Sequence, residues 1–220
     1  YGKVFFDSDM PRYLWNSLLI TVPTVIGTIA LSSMTGFALG IYRFKGNLFL
    51  FFLFIAGNFV PFQILMVPVR DFTIDLGLYD TKTGLILFHI AFQTGFCTLF
   101  MRNFIKALPR ELIEAARVEG ASWFTVYRRI VMPLSGPVLA TAAILKSLKM
   151  YNEQYLWPLI VVQDEAHRPV MVGLGYFFQL QIAWGEVMAY LTLISVPVIA
   201  FYLVMQRAFI SSIASTGVKG

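Results

Sequence analysis

The sequence has few charged residues and only one cysteine, and both shortages exclude classes of protein. Only 13% of its 220 residues are charged, about half the fraction found in a typical soluble domain. The single Cys97 excludes a disulfide framework and a multi-cysteine metal site, and it is predicted to be a small buried hydrophobic residue. His89 and His167 are far apart and lack a metal-ligand pattern, which argues against a zinc or haem site.

Apolar and aromatic residues make up most of the chain. Hydrophobic residues account for 58% and aromatic residues for 16%, including 21 Phe, and the mean hydropathy is +0.71. Such a composition suits surfaces that face lipid and aromatic belts at the membrane interface. It predicts a polytopic membrane protein.

Five apolar stretches are long enough to cross a membrane as helices. They predict an all-α transmembrane helix bundle in a single domain, residues 1–220. Small polar residues in the first stretch (Ser17, Thr21 and Ser32) are expected to bond back to carbonyls of their own helix. The predicted spans cover residues 14–41, 48–69, 84–101, 133–148 and 187–205.

Basic residues are concentrated on one side of the predicted bundle. Residues 42–47, 102–130 and 207–220 carry ten Lys or Arg and three acidic residues, a net charge of +7. The other segments carry seven Lys or Arg and nine acidic residues, a net charge of −2. Because loops rich in Lys and Arg remain cytoplasmic, we predict that Tyr1 is outside and Gly220 inside. A chain that starts inside would need a sixth span before Tyr1.

The outer segment 149–186 is predicted to be more than a loop. Its aromatic first part, residues 151–158, is interpreted as a continuation of the fourth helix, distorted near Pro158 because proline removes a backbone donor. A polar turn at 163–169 and a short interfacial helix within 170–182 are expected to follow.

The basic cytoplasmic loop has the local signals of two short helices. Pro109 suits the first position of a helix, and Gly120 suits its end in a left-handed conformation. Ser122 can cap a second helix. Arg128 and Arg129 are favourable at the C-terminal end of that helix. Elementary physics leaves two interpretations open: a helix resting on anionic lipid, and a docking element for a partner protein.

The residue spacing in this loop resembles the EAA loop of binding-protein-dependent ABC importer permeases. The resembling positions are Glu114-Ala115-Ala116, Gly120 after three residues, Ile130 after nine more, and Met132-Pro133 after one more. The family has Leu where this chain has Met132.

The resemblance covers nearly the whole chain and is strongest to the carbohydrate-uptake branch, the maltose-transporter-type permeases. Tyr151 stands where that branch has Trp, and Gln154-Tyr155 also departs from its pattern. The further resembling segments are Asn16-Ser17-Leu18, Leu108-Pro109, Pro133-Leu134-Ser135, and residues 151–159, 206–209 and 217–220.

The resemblance implies a sugar or oligosaccharide importer in the bacterial inner membrane. In that family two permease chains, usually different, form the solute path above two ATPase subunits, and an extracytoplasmic binding protein delivers the solute. This chain would be a non-catalytic subunit without a cofactor of its own, because ATP and Mg would bind to the partner ATPase. The sequence contains no Gly-rich phosphate loop of the Walker A type.

By the same resemblance, the loop 102–130 is a coupling helix that lies in a cleft of one ATPase subunit. Glu114 would pair with a basic group there, Ala115 and Ala116 would permit close contact, and Gly120 would form the bend. For Arg117 two interpretations stay open, a second ion pair with the ATPase and contact with lipid headgroups.

Polar and aromatic residues in or beside the spans are candidates for the solute path. Sugars are recognised by aromatic stacking and a few hydrogen bonds, and polar groups within spans tend to face the bundle interior. The amides could instead hold helices together, and the two aromatic residues could belong to the interface belt. The candidates are Asn58, Gln63, Gln93, Asn152, Glu153, Tyr155 and Trp157.

Three alternatives to a sugar importer stay open. The same machine could carry another solute, such as a polyol, glycerol phosphate or an acidic oligosaccharide. A secondary carrier generally needs intramembrane carboxylates, and the five predicted spans contain no Asp or Glu. An intramembrane enzyme needs a nucleophile with a base or a metal, and no such pairing stands out.

The predicted orientation can be tested by labelling in intact cells. In a Cys97→Ser background, a single cysteine at position 78 should react with an impermeant thiol reagent, and one at position 46 should be protected. The reason is that only the outer loops are accessible to the reagent. Strong labelling at position 46 with none at position 78 would reverse the orientation.

Overall fold

The fold is built from helices. The computed structural model describes residues 1–177 and 183–217, with side chains through residue 206, and this part of the chain contains no strand. Three 3₁₀ segments, Gly57–Phe59, Glu165–His167 and Leu174–Phe177, and one π-helical segment, Tyr127–Val131, join or extend the α-helices. The α-helices are α1 (Gly2–Asp7), α2 (Met10–Ile41), α3 (Asn47–Ala56), α4 (Phe62–Asp75), α5 (Lys82–Ala107), α6 (Arg110–Val118), α7 (Trp123–Val126), α8 (Met132–Leu134), α9 (Gly136–Asn152), α10 (Leu156–Val161), α11 (Val170–Gly173) and α12 (Trp184–Gly217).

Among the described residues, three helical segments are long and apolar enough to cross a membrane: Met10–Ile41, Lys82–Ala107 and Trp184–Gln206. Two bent helix pairs raise the number to five if each pair is one span. These pairs are Asn47–Phe59 with Phe62–Asp75, and Trp123–Leu134 with Gly136–Asn152. The all-α, polytopic fold class predicted from the sequence is confirmed.

Proline residues mark both bends. In the second predicted stretch the backbone is extended at Val60 and Pro61, which separates the helices on either side, because proline disfavours the helical conformation of the residue before it. The fourth stretch was expected to start at Pro133. The helix instead begins at Trp123 and bends by 72° before Gly136, next to Pro137, which lacks a backbone donor.

The outer segment differs from its prediction in where the helix breaks. Helix α9 ends at Asn152, and a new helix, α10, begins at Leu156. Pro158 is the third residue of α10, where its missing N–H removes no helical hydrogen bond. The polar turn at 163–169 contains a 3₁₀ segment. In place of one interfacial helix the chain forms α11 and the following 3₁₀ turn, and residues 178–182 lie outside the described residues, as do 218–220 at the C-terminus.

Arg102 lies in a helix and not in a loop, so the start of the predicted loop at residue 102 is too early. Helix α5 continues to Ala107, so the first six residues of the predicted loop are helical. Arg102 is buried, and its Nε donates a hydrogen bond to the Leu39 carbonyl at 3.1 Å. Its guanidinium carbon lies 3.7 Å from the centre of the Phe51 ring. These two contacts hold the cation against the neighbouring helices.

Three hydroxyls in α2 bond to other segments rather than to their own helix, contrary to the prediction. Ser17 Oγ accepts a hydrogen bond from the Val170 backbone N–H at 2.9 Å. Thr21 Oγ1 accepts one from Gln154 Nε2 at 2.8 Å. Ser32 Oγ donates to a carbonyl of α5. Hydrogen bonds between helices replace the local ones because the partners lie buried beside these hydroxyls.

The described helices fall into two compact units. The first unit comprises residues 1–25, 61–89 and 144–206. Its core includes Tyr190, which is fully buried and donates a hydrogen bond from Oη to the Val170 carbonyl at 2.8 Å. A second cluster surrounds Trp157, whose ring centre lies 4.3 Å from that of Phe88. Aromatic packing therefore organises this unit.

The described residues of the second unit are 26–60, 90–143 and 207–217. Within it, α2 and α5 approach closely at Gly36. A Cβ added there would lie 2.6 Å from Met101 Cβ and 2.9 Å from the backbone nitrogen of Arg102. Gly40, one turn later, faces Ile105. Small residues four apart allow helix backbones to meet in this way in membrane proteins. The contact places the end of α2 against the end of α5.

Gly36→Ala should destabilise the protein, because a methyl group there must displace the backbone of α5. Overpacking of this kind costs about 1–3 kcal/mol. Gly136→Ala is the matched control, since an added Cβ there meets nothing within 4 Å. Thermal unfolding in detergent should show a lower midpoint for Gly36→Ala only. Equal midpoints for both variants would contradict the close approach.

Candidate functional site

The EAA segment forms a short helix at the end of α5. Helix α6 spans Arg110–Val118 and carries Glu111 in its first turn, where a negative charge is favourable. Pro109 is the N-cap and not the first helical residue, so α6 begins one residue later than predicted. Its extended ψ of 122° turns the chain between α5 and α6.

Gly120 ends α6 in the left-handed conformation that the sequence predicts, with φ of 89°. The Gly120 N–H donates to the Arg117 carbonyl at 3.1 Å, and the Ala121 N–H donates to the Ala116 carbonyl at 3.0 Å. This pair of bonds is the Schellman motif, which satisfies the last carbonyls of a helix. A residue with a Cβ would strain the backbone here.

Ser122 caps the second helix of the loop, as predicted. Its Oγ accepts a hydrogen bond from the Thr125 N–H at 3.2 Å. The helix does not end at Arg128 and Arg129, however. It passes through the π-helical segment and continues to Leu134. The two arginines are therefore exposed along a longer helix.

One face of α6 is buried and the other is exposed. Ile113 is 6% exposed and packs in the core of the second unit with residues of α2 and α5. Glu114 and Ala115 are exposed, and Ala116 is half-buried. Val118 is 89% exposed. An acidic group beside small and apolar exposed residues is a surface suited to contact with another protein.

An aromatic cluster that the sequence analysis missed anchors the loop to α2. The ring centres of Trp123 and Tyr42 are 4.9 Å apart, and those of Tyr127 and Phe37 are 5.3 Å apart. The Tyr127 hydroxyl is 2.7 Å from Ser33 Oγ. The one sequence signal was the pair of aromatic residues four apart in the loop, which lie on one helix face. Their partners on α2 could not be inferred from that spacing.

Arg117 makes contacts within the loop itself. Its guanidinium carbon lies 4.5 Å from the centre of the Trp123 ring, and its Nη1 donates a hydrogen bond to the Ala121 carbonyl. The side chain thus braces the turn between α6 and α7. It remains exposed.

The candidate solute-path residues divide between the two units. Asn58 and Gln93 belong to the second unit, and the other five belong to the first. Asn58 Nδ2 donates to the Phe54 and Ile55 carbonyls, which it caps at the end of α3. Glu153 Oε2 lies 3.7 Å from Lys149 Nζ. Gln63, Asn152 and Tyr155 are exposed, whereas Gln93 is half-buried.

Trp157 is the most buried of these candidates, at 2% exposed. It packs among Ile20, Leu85 and Phe88, and its Nε1 has no hydrogen-bond partner in the described part of the chain. Gln154 was not a candidate, yet it is fully buried and joins its segment to α2 through Thr21. No group of three His, Cys, Asp or Glu side chains suited to a metal ion occurs among the described residues.

Comparison with known proteins identifies the family. The family model described as "Binding-protein-dependent transport system inner membrane component" matches residues 13–215. The probable ABC transporter permease protein YurM of Bacillus subtilis (strain 168) is 35% identical over 216 residues, 98% of this chain and 72% of that protein. The arabinooligosaccharides transport system permease protein AraQ of Halalkalibacterium halodurans is also 35% identical, over 93% of this chain and 73% of that protein.

A relative with a different named solute is similar as well. The sn-glycerol-3-phosphate transport system permease protein UgpE of Brucella suis biovar 1 is 32% identical over 94% of this chain and 74% of that protein. Among solved structures, the fold resembles a bacterial ABC transporter involved in the import of the acidic polysaccharide alginate. The TM-score is 0.79 at 24% identity, covering 95% of this chain and 78% of that chain.

The inward-facing MetNI methionine ABC transporter has a TM-score of 0.71 at 18% identity, covering 92% of this chain and 95% of that chain. The two solved structures support the fold, and the family match and the relatives confirm the resemblance drawn from the sequence. The apolar helices agree with a multi-pass protein of the bacterial inner membrane. The chain belongs to the family of binding-protein-dependent transport system inner membrane components.

Proposed function

We propose that this permease subunit imports a sugar or oligosaccharide and couples its movements to a separate ATPase through α6. The observation that carries the coupling is the two-sided geometry of α6, with Ile113 buried and Glu114 exposed. The solute class is supported by the arabinooligosaccharide permease among the relatives. The exposed aromatic ring of Tyr155 also suits sugar binding.

The proposed machine contains partners that this chain does not supply. A second permease chain, different from this one, would complete the solute path, and two ATPase subunits would bind ATP and Mg. An extracytoplasmic binding protein would deliver the solute. This division fits a sequence without a Walker A phosphate loop, so the chain itself would be non-catalytic.

Coupling would pass from the surface of α6 to the membrane helices through packed side chains. The exposed Glu114 would form an ion pair with a basic group of the ATPase, and the small Ala115 would let the two surfaces approach closely. Because Ile113 and the aromatic cluster tie the loop to α2 and α5, displacing α6 would displace the ends of both helices. Rigid movements of this kind can switch a bundle between inward and outward access.

The solute path would use polar side chains that this chain can present to a solute. Gln63, Asn152 and Tyr155 have exposed side chains that can donate or accept hydrogen bonds. Asn58, Gln93, Glu153 and Trp157 make contacts within the chain, so they would also fix the shape of the path.

An anionic polyol such as a glycerol phosphate is the second candidate solute. Lys146 lies in α9 and is only 7% exposed. An ionisable residue within a span commonly marks a substrate path, and a glycerol-3-phosphate permease is among the relatives. Stimulation of ATP hydrolysis in the assembled importer should distinguish the solutes. Neutral oligosaccharides should stimulate it, whereas stimulation by the phosphorylated polyol alone would replace the sugar assignment.

Glu114→Lys tests the coupling proposal, because it replaces an attraction with a repulsion. Disrupting a desolvated ion pair costs about 2–5 kcal/mol, so the permease should reach normal abundance but lose its ATPase during purification or stop linking hydrolysis to uptake. Glu119→Lys is the matched control, since it reverses an exposed charge on the same loop.

The measurements are solute uptake and the amount of ATPase that co-purifies. If α6 rested on anionic lipid instead, the added lysine would be neutral or mildly strengthening. Wild-type uptake with a fully retained ATPase in Glu114→Lys would refute the coupling role of this helix.

A further inference from the structure

A basic pocket lies beside α6, in the second unit. It is a cavity of about 680 Å³ bounded by residues 39–49 and by the end of α5. Five cationic residues line it, and no acidic residue is among its lining residues. They are Arg43, Lys45, Arg102, Lys106 and Arg110. The cavity is large enough for a headgroup with a phosphate.

Arg102 forms the buried wall of this pocket. It is 8% exposed, and its described contacts are the Leu39 carbonyl and the face of the Phe51 ring. A carbonyl and a ring face stabilise a cation, but neither neutralises it. A buried cation without a carboxylate is costly. An anion entering the pocket would remove that cost.

The other four cations lie at the rim and are exposed. None of them forms an ion pair within 4.0 Å in the described part of the chain. Glu114 is the acidic residue that lines the adjoining smaller cavity, together with Arg43, Lys106 and Arg110. One carboxylate beside five cations leaves the pocket with a large excess of positive charge. Such a concentration of charge attracts anions.

The apolar side of the pocket indicates which anion it takes. Phe44, Leu48 and Phe49 line it and are 44%, 57% and 70% exposed. Leu48 and Phe49 belong to α3, which starts one of the bent pairs long enough to span the membrane. A soluble phosphate would make no use of these surfaces. A phospholipid would place its phosphate on the cations and its acyl chains along the apolar side chains.

We propose that the basic pocket binds the phosphate of an anionic phospholipid from the cytoplasmic leaflet. Basic pockets between transmembrane helices on the cytoplasmic side bind lipids such as cardiolipin. The bound lipid would neutralise Arg102 and tie the connection between α2 and α3 to the end of α5. This site does not depend on the solute or on the contact between α6 and an ATPase.

The test compares two double variants of the full chain in its purified importer complex. Lys106→Gln with Arg110→Gln removes two exposed cations from the pocket, and Arg128→Gln with Arg129→Gln removes two exposed cations outside it. Native mass spectrometry would measure the binding of cardiolipin and of phosphatidylcholine. The pocket variant should bind cardiolipin about 30-fold more weakly, because it lacks two cations that attract the anionic headgroup. The control variant should match the wild type, and phosphatidylcholine should bind weakly to all three.

Two further arms separate lipid from the other sources of negative charge. Inorganic phosphate should leave cardiolipin bound, because it cannot use the apolar side of the pocket. Displacement of cardiolipin by inorganic phosphate would indicate a site for soluble anions and overturn the proposal. Equal cardiolipin affinity in the two double variants would also overturn it. Loss of the ATPase subunit from the pocket variant, with cardiolipin affinity unchanged, would assign the pocket to a protein partner instead.

Discussion

Backbone hydrogen bonding within helices is the constraint on which this structure depends, because the membrane core offers no water to an unpaired N–H or carbonyl. The described chain meets it with helices throughout the segments that are long and apolar enough to span a membrane. Pro158 lies in the first turn of α10, where a backbone donor is not needed. At the bend before α4, Pro61 takes the N-cap position. Side chains serve the same need, since Asn58 caps the carbonyls at the end of α3.

Once the backbone is satisfied, contacts between helices decide how α6 is connected to the long helices of the second unit. Gly36 lets α2 meet α5, and the aromatic cluster joins the loop to α2. Ile113 then holds one face of α6 in the same core. The exposed face of α6 is therefore rigidly connected to the ends of two long helices. A surface helix without these anchors could bind a partner but could not transmit a force to the membrane segments.

Positive charge at this end of the molecule has more than one use. In predicting topology from the sequence, every Lys and Arg has the same weight. The structure shows that these residues have different contacts. Arg117 stacks on Trp123 and braces the turn, and Arg102 is buried against Phe51. Lys106 and Arg110 face a cavity, while Arg128 and Arg129 are exposed along the following helix. Proposals about lipid and about protein partners can therefore be tested with different arginines and lysines of one loop.

The sequence by itself determined the apolar stretches, the family and the features that depend on neighbouring residues. Gly120 in the left-handed conformation and the cap at Ser122 were predictable because each involves at most six consecutive residues of the chain. The tertiary structure alone decided that Arg102 is buried and that Ser17, Thr21 and Ser32 bond to other segments. It also decided that Trp157 packs in a core. The physical reason is that a side chain's partner across a helix interface is set by which distant segments pack together, and neither periodicity nor local spacing contains that information.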